Sequence, residues 1–326
     1  MPATPRVTVL GSMNMDIAVT VPELPGPGAT VLGSAARFAP GGKGGNQAVA
    51  AARLGAEVRM AGCVGCDDFG RQLLQALQAE SVHTTAVREV PDIASGLALI
   101  TIDASGENMI TVSAGANESV GEGEVAAALT GSPDVLVVSA EVPAPAIQAA
   151  LDQARALAAG AVHDRAPNQG RPLTCLLNLA PVPPGAGDLL ASGVDWLVVN
   201  ETEAAAVLGH PVAGLEGAAR AAASLLIVGV THAVVTAGAA GAAYAGPAGP
   251  VSVRGFPVQA VDSVGAGDTF VGALAAAVGA GTEPGPAIRA ACAAATVATT
   301  RSGTQDAMPR PADLPGLTGV SWPLGS

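Results

Sequence analysis

The chain has 326 residues, with 15 basic against 27 acidic side chains and a formal net charge of -12. That sign argues against a protein held on phosphate backbones, whose affinity comes from Lys and Arg, so nucleic acid is not an expected partner. With 49% apolar and only 13% charged residues, disorder is excluded too and a sizeable buried core is expected.

The 42 Gly and 25 Pro suit a loop-rich globular enzyme. The opening Met1-Pro-Ala-Thr-Pro-Arg-Val shows no basic segment followed by a long apolar stretch and a small-residue cleavage site, so a cytoplasmic location is expected.

Along the chain, short β-branched runs alternate with Ala-rich stretches of helical length. Val7–Leu10 predicts the first strand. Gly11-Ser-Met-Asn-Met-Asp follows, with Asn14 and Asp16 at a strand edge on one face; the pair reads as amide-and-carboxylate recognition of neutral hydroxyls or as an Asx turn. Two regions, about residues 14–38 and 95–113, are β-rich and carry turn signals (Pro22, Pro25-Gly26-Pro27-Gly28, Ser105-Gly106-Glu107-Asn108) with no helix between. They predict a small separate sheet able to fold over a ligand as a lid.

Ala39-Pro-Gly-Gly-Lys-Gly-Gly-Asn-Gln opens onto a predicted helix, Asn46–Leu54, without the spacing of a Walker loop. Lys43 is the only lysine, the other fourteen cations being Arg. Glycines such as Gly42 admit a ligand close to the backbone, and Lys43 and Asn46 offer donors to hydroxyls. Val58–Gly62 predicts the next strand. The CxxC of Cys63 and Cys66 just beyond it has no second pair and no neighbouring His, and reads as two small buried or half-buried thiols. The four His, at 83, 163, 210 and 232, show no ligand spacing.

A helix over Phe69–Ala79, a strand over Asp134–Ser139 and a helix over Pro143–Ala159 come next. A polar loop over 162–171 leads to strands at Thr174–Asn178 and Trp196–Asn200, helices at Glu201–Leu208 and Leu215–Val228, and a strand at Ala233–Thr236. No charge falls between Arg220 and Arg254, but His232 and repeated Gly break that stretch into a helix end, a strand and a turn, so no membrane span is expected. Asn200 reads as an N-cap with Glu203 completing a capping box, or as a group ordering Mg²⁺ waters and phosphate. The alternation predicts an α/β fold: a doubly wound, mostly parallel sheet with helices on both faces plus a small β-sheet lid, as a single domain over 1–326. The tail after Pro309 is expected to be a loose end.

In Val261-Asp-Ser-Val-Gly-Ala-Gly-Asp-Thr-Phe a glycine loop runs into an Ala-rich helix. The amides of Gly265, Ala266 and Gly267 would lie at a helix N-terminus, where a phosphoryl group is favoured. Asp268 would repel that anion unless it takes a proton from an attacking hydroxyl. The plain alternative is a turn and a cap.

As a set, GSMNMD, GGKGGNQAVAAARLGA, GENMITVSAGAN, NLAP, NETEA, VVTAGAAG and VQAVDSVGAGDTFVGAL resemble, in order and spacing and over most of the chain, the PfkB family of carbohydrate kinases. The GGKGxNQA and SAGAN words point within it to members that act on ribose. The resemblance implies ATP-dependent phosphorylation of D-ribose at the 5-hydroxyl, giving ribose 5-phosphate and ADP. A sibling kinase for fructose, deoxyribose, 2-keto-3-deoxygluconate or adenosine is the alternative, and a non-catalytic sugar binder a further one.

The resemblance also implies roles. Asp268 would be the general base, with Gly265, Ala266 and Gly267 as anion hole. Asn14, Asp16, Gly42, Lys43, Asn46 and Glu141 would hold the sugar, and Asn200, Glu203, Thr236, Gly238, Gly241 and Gly267 the ATP and Mg²⁺. Asp262, with carbonyls near Val264 and from Thr299 to Gly303 and a side chain at Thr304 or Asp306, would hold an activating K⁺. A homodimer clasped through the lid is implied as well. Relatives often carry a polar and a basic residue after Thr236, where this chain has Ala-Gly-Ala-Ala-Gly, which implies weaker contact with ATP. Ala98 and Ile110 are expected to pack on the sugar from the lid.

Overall fold

The computed structural model describes residues 4–160 and 172–323, so the polar loop over 162–171 and His163 lie outside the described residues. In chain order the strands are β1 (Arg6–Leu10), β2 (Asn14–Thr20), β3 (Arg37–Gly41), β4 (Glu57–Gly65), β5 (His83–Val90), β6 (Gly96–Ile102), β7 (Asn108–Ser113), β8 (Val135–Ser139), β9 (Thr174–Asn178), β10 (Val194–Asn200), β11 (Val230–Thr236), β12 (Gly241–Ala245) and β13 (Val251–Arg254). The helices are α1 (Lys43–Arg53), α2 (Asp68–Ala79), α3 (Glu122–Leu129), α4 (Ala144–Ala158), α5 (Ala186–Ala191), α6 (Glu201–Leu208), α7 (Gly214–Leu225), α8 (Ala266–Gly279), α9 (Pro284–Thr299) and α10 (Leu314–Thr318).

Among the described residues, nine strands form one sheet in the order β13-β12-β11-β10-β9-β8-β1-β4-β5, and a second sheet runs β3-β2-β6-β7. From β11 to β5 every neighbouring pair of the large sheet is parallel, while β12 and β13 join it antiparallel. A parallel strand buried on both faces reads as an unbroken apolar run, as Val135-Leu-Val-Val does. Its residues alternate between two apolar layers. Val135 and Val137 enter the layer roofed by α1, α2, α8 and α9; Leu136 and Val138 enter the one roofed by α3, α4 and α7.

The chain runs from β1 outward through β4 to β5, then returns to β8 on the other side of β1 and proceeds to β11. Strand order therefore reverses between β1 and β8. Connections diverge at such a point, and a crevice opens beyond the carboxyl ends of the strands.

Several expectations shift. Helix α1 begins at Lys43 instead of Asn46, taking Gly44 and Gly45 into its first turn. A Cβ on Gly44 would lie 2.8 Å from the Gly11 α-carbon, so this glycine serves close packing of helix on strand. In the lid only 14–20, 37–41, 96–102 and 108–113 are strands; 21–36 is irregular, because Pro22, Pro25 and Pro27 remove ladder donors. Helix α7 gives way to a 3₁₀ turn at Leu226–Val228, and β11 follows, so the charge-free stretch divides as expected. Among the described residues no helix is long and apolar enough to cross a membrane.

The tail after Pro309 is not loose: it forms α10, and the Trp322 indole donates to the Leu54 carbonyl at 2.8 Å, inside the core. Cys63 is buried and Cys66 is exposed rather than half-buried, both as free thiols.

Candidate active site

The crevice is stitched across its floor. Ser12, just past β1, donates from Oγ to Glu141 Oε2 at 2.6 Å, just past β8, and the same oxygen accepts the Lys43 amide at 3.2 Å. Gly42, which precedes α1, has φ +81° and faces the Asn14 amide, with a Cβ position only 2.6 Å away; neither the dihedral nor the space admits another residue. Asn117, which the sequence reading passed over, accepts the Met13 amide at 2.9 Å and donates to Asn14 Oδ1 at 2.8 Å. That leaves Asn14 with its Nδ2 group for a ligand.

Register places Asp16, Ala98 and Val112 on one face of the lid, with Ile100 and Ile110 in the next rank of that face. Ala98 and Ile110 thus share the face of Asp16. Asp16 itself rests on the bare α-carbon of Gly41, whose missing Cβ would overlap the carboxylate.

Asp268 stands in the first turn of α8, 7% exposed. Asn46 donates from Nδ2 to its Oδ2 at 3.0 Å, and Gln47 from Nε2 to its Oδ1 at 3.0 Å. Behind them, Gln305 donates to Asn46 Oδ1 at 3.1 Å, Gln47 Nε2 also donates to Asn178 Oδ1 at 2.9 Å, and Asn178 donates to the Val198 carbonyl at 3.2 Å. Helices α1 and α8 come close enough for this because Gly272 has no side chain: a Cβ there would sit 2.5 Å from the Gln47 carbonyl. Gln47, Asn178 and Gln305 were not foreseen.

Charges gather around Asp268. Burial first, then Glu141 and Asp268, push the Asp16 carboxyl from 3.8 up to about 7. Lys43 is raised above the ordinary lysine value by Asp268 foremost, against the opposing effect of burial, with Glu141 and Glu203 adding to the rise. The single lysine of the chain is therefore a fixed ammonium among carboxylates. Burial raises Glu203, while the Asn200 amide and Lys43 oppose it.

The turn before α8 has Gly265 at φ +76°, and its α-carbon abuts the Thr304 methyl, 2.8 Å from the Cβ position. Of the three expected amides, that of Ala266 is spent on the Ser263 carbonyl at 3.3 Å, while those of Gly265 and Gly267 make no hydrogen bond among the described residues. Apart from its chain neighbours and its own helix backbone, nothing among the described residues lies within 4 Å of a Cβ position on Gly267, so space opens over this helix end.

Asp262 accepts the Val264 amide at 3.0 Å and the Gly303 amide at 3.2 Å, joining the loops before α8 and after α9. The Thr299 carbonyl already accepts the amides of Val261 and Asp262, at 2.7 and 3.1 Å, which occupies both its lone pairs. At the far end of the crevice Asn200 forms the capping box. Its side chain accepts the Glu203 amide and donates to Glu203 Oε1, both at 2.9 Å, and its amide donates to Oε2 at 2.8 Å. Thr236 is paired with Asn200 in the ladder, and Gly238 follows in an open turn. Gly241 is buried at φ +116° against the Val253 carbonyl, so strand packing requires that glycine.

These features agree with what the chain is similar to. The ribokinase of Haemophilus influenzae is 35% identical over 305 residues, covering 93% of this chain and 95% of that protein. A deoxyribokinase of Salmonella typhi is 32% identical, again over 93% of this chain and 95% of the other. The structure of Arabidopsis thaliana ribokinase complexed with ribose and ATP superposes with a TM-score of 0.82 at 28% identity, covering 97% of this chain and 99% of that one. A family model described as pfkB family carbohydrate kinase matches residues 4–311, and by that match, over almost the whole of the crevice and its scaffold, the chain belongs to the pfkB family of carbohydrate kinases.

Proposed function

We propose that the chain is a ribokinase, transferring the γ-phosphoryl of ATP to the 5-hydroxyl of D-ribose. The observation that carries this reading is the buried carboxylate of Asp268, held by two carboxamides one residue from the free amide of Gly267. A primary alcohol is a poor nucleophile at neutral pH. Asp268 accepts its proton as the O5–P bond forms and the bond from the γ-phosphorus to the bridging oxygen breaks, and ADP leaves. Positioned proton transfer of this kind contributes about 10²- to 10⁴-fold. The amides of Gly265 and Gly267 and the end of α8 meet the charge on the phosphoryl oxygens.

Asn14, Asp16, Gly42, Lys43, Asn46 and Glu141 hold the sugar, with Lys43 compensating the carboxylates that surround it. The nucleotide lies over Thr236 and Gly238 towards Asn200 and Glu203. Glu203 and Asp262 supply the all-oxygen donor chemistry that hard cations take. Mg²⁺ near Glu203 would neutralise the phosphates, and a K⁺ near Asp262, with carbonyls of the Val264 and Gly303–Thr304 segments, would brace the Gly265 turn; the spent carbonyl of Thr299 drops out of that set. The whole chain acts as one catalytic unit in the cytosol, with β2, β3, β6 and β7 closing over the sugar to exclude water. Exposed Phe38, Leu99, Met109, Ile110 and Val112 on the lid support a homodimer made through it.

A panel of D-ribose, 2-deoxyribose, fructose, 2-keto-3-deoxygluconate and adenosine, each with MgATP and K⁺, tests this by ADP release. Ribose is expected to give the highest kcat/KM. Turnover of another acceptor with none on ribose rejects the substrate, and ribose binding without ADP release on any acceptor rejects the kinase.

A further inference from the structure

We infer that Gln47 is the positioning residue of the phosphoryl-transfer reaction, fixing the Asp268 carboxylate through a polar relay that ends on the backbone of β10. The inference rests on the proposed role of Asp268 as base. Its orientation is forced from the far end. The Val198 carbonyl can only accept, so Asn178 must turn Nδ2 towards it and present Oδ1 to Gln47. Gln47 must then present Nε2, and its two hydrogens serve Asn178 Oδ1 and Asp268 Oδ1 together. Flipping the Gln47 amide would set an oxygen against two acceptor oxygens.

Asn46 holds the other carboxylate oxygen. Consecutive side chains of one helical turn thus take one oxygen each, and rotation of the carboxylate about χ2 breaks one bond or the other. Asn46 is also proposed to hold the sugar, whereas Gln47, with 0% exposure, bonds only Asp268 and its latch Asn178 among the described residues.

The arrangement leaves one atom unsatisfied. Gln47 Oε1 is one of two buried side-chain polar atoms without a partner among the described residues, and a buried acceptor left unpaired is destabilising. Met would fill the same volume without the orphan oxygen, but it would also take the donor from Asp268 Oδ1 and Asn178 Oδ1. Between Gly45-Asn46 and Ala48-Val49, the work of this amide lies in its two donors, and they orient the carboxylate.

The test compares wild type with Gln47→Met, with Asp268→Asn as the control for the underlying reading, by ADP release at varied ribose and varied ATP. Gln47→Met is expected to lower kcat about 10- to 100-fold while KM for ribose and for ATP stays within about threefold. A kcat within twofold of wild type, or a loss confined to KM, overturns the inference while inactive Asp268→Asn leaves the base intact as a reading. Near-normal kcat in Asp268→Asn overturns both. If Gln47→Met does not fold, Asn178→Ala takes its place: it keeps Gln47 but cuts its latch, and the same kcat criterion decides.

Discussion

Asp16 exposes a tension between binding and stability that can be measured on the ligand-free protein. Its carboxyl is moved from 3.8 to about 7 by burial and by Glu141 and Asp268. At about 1.4 kcal/mol per pH unit, that corresponds to at most about 4 kcal/mol. The sign follows from proton counts. Below pH 4 the folded and unfolded states both hold the proton and Asp16 costs nothing. Between pH 4 and 7 the folded state binds more protons than the unfolded chain, so stability falls as pH rises. Above 7 both are ionised and the full penalty is present.

Asp16→Asn keeps the shape and removes the charge. In urea unfolding at pH 8 the variant is expected to be more stable than wild type by about 1–3 kcal/mol, below the ceiling because the side chain is only part-buried. At pH 5 less than half of that gain should remain. Its KM for ribose should nonetheless rise at least about tenfold, since a charged hydroxyl acceptor is gone. An equal effect at both pH values, or a wild type more stable than the variant at pH 8, refutes the account of this carboxylate cluster.

Two further outcomes concern the turn before α8. Gly265→Ala combines φ +76° with the Thr304 methyl 2.8 Å from the new carbon; thermal melts should show a loss of about 1–3 kcal/mol, and ADP release should fall with it because the amide moves. Replacing K⁺ by Na⁺ at constant ionic strength is expected to lower kcat, and an unchanged rate counts against the site at Asp262.

What could be read from the sequence was what the chain places side by side. The Gly265-Ala-Gly-Asp268 turn carries its chemistry in four consecutive residues, and the succession of apolar runs such as Val135-Leu-Val-Val with Ala-rich helices such as α4 points to a parallel sheet. Even the alternatives left open at Asn200 were local, and the capping box is indeed what forms. The bonds that hold the crevice together are of another kind. Ser12 meets Glu141 across 129 residues, and Gln47 meets Asn178 across 131; such pairings exist only once strand order and register bring the ends of β1, β8 and β9 to one edge.

Signals for two of the missed features were nonetheless present as contradictions. Trp322 lies in a tail otherwise rich in Pro and Gly, and a large indole gains little in solvent but a great deal against α1, where its N–H finds the free carbonyl of Leu54. Gln47 sits ahead of Ala48-Val49-Ala50-Ala51, a run that is buried throughout. A primary amide on so apolar a face must find partners from elsewhere in the fold, and with few polar side chains in the core the candidates were the Asn, Gln and Asp residues at strand and helix ends. Where burial and polarity conflict at one position, the resolution is a contact distant in sequence, and here that contact is the carboxylate on which the proposed reaction depends.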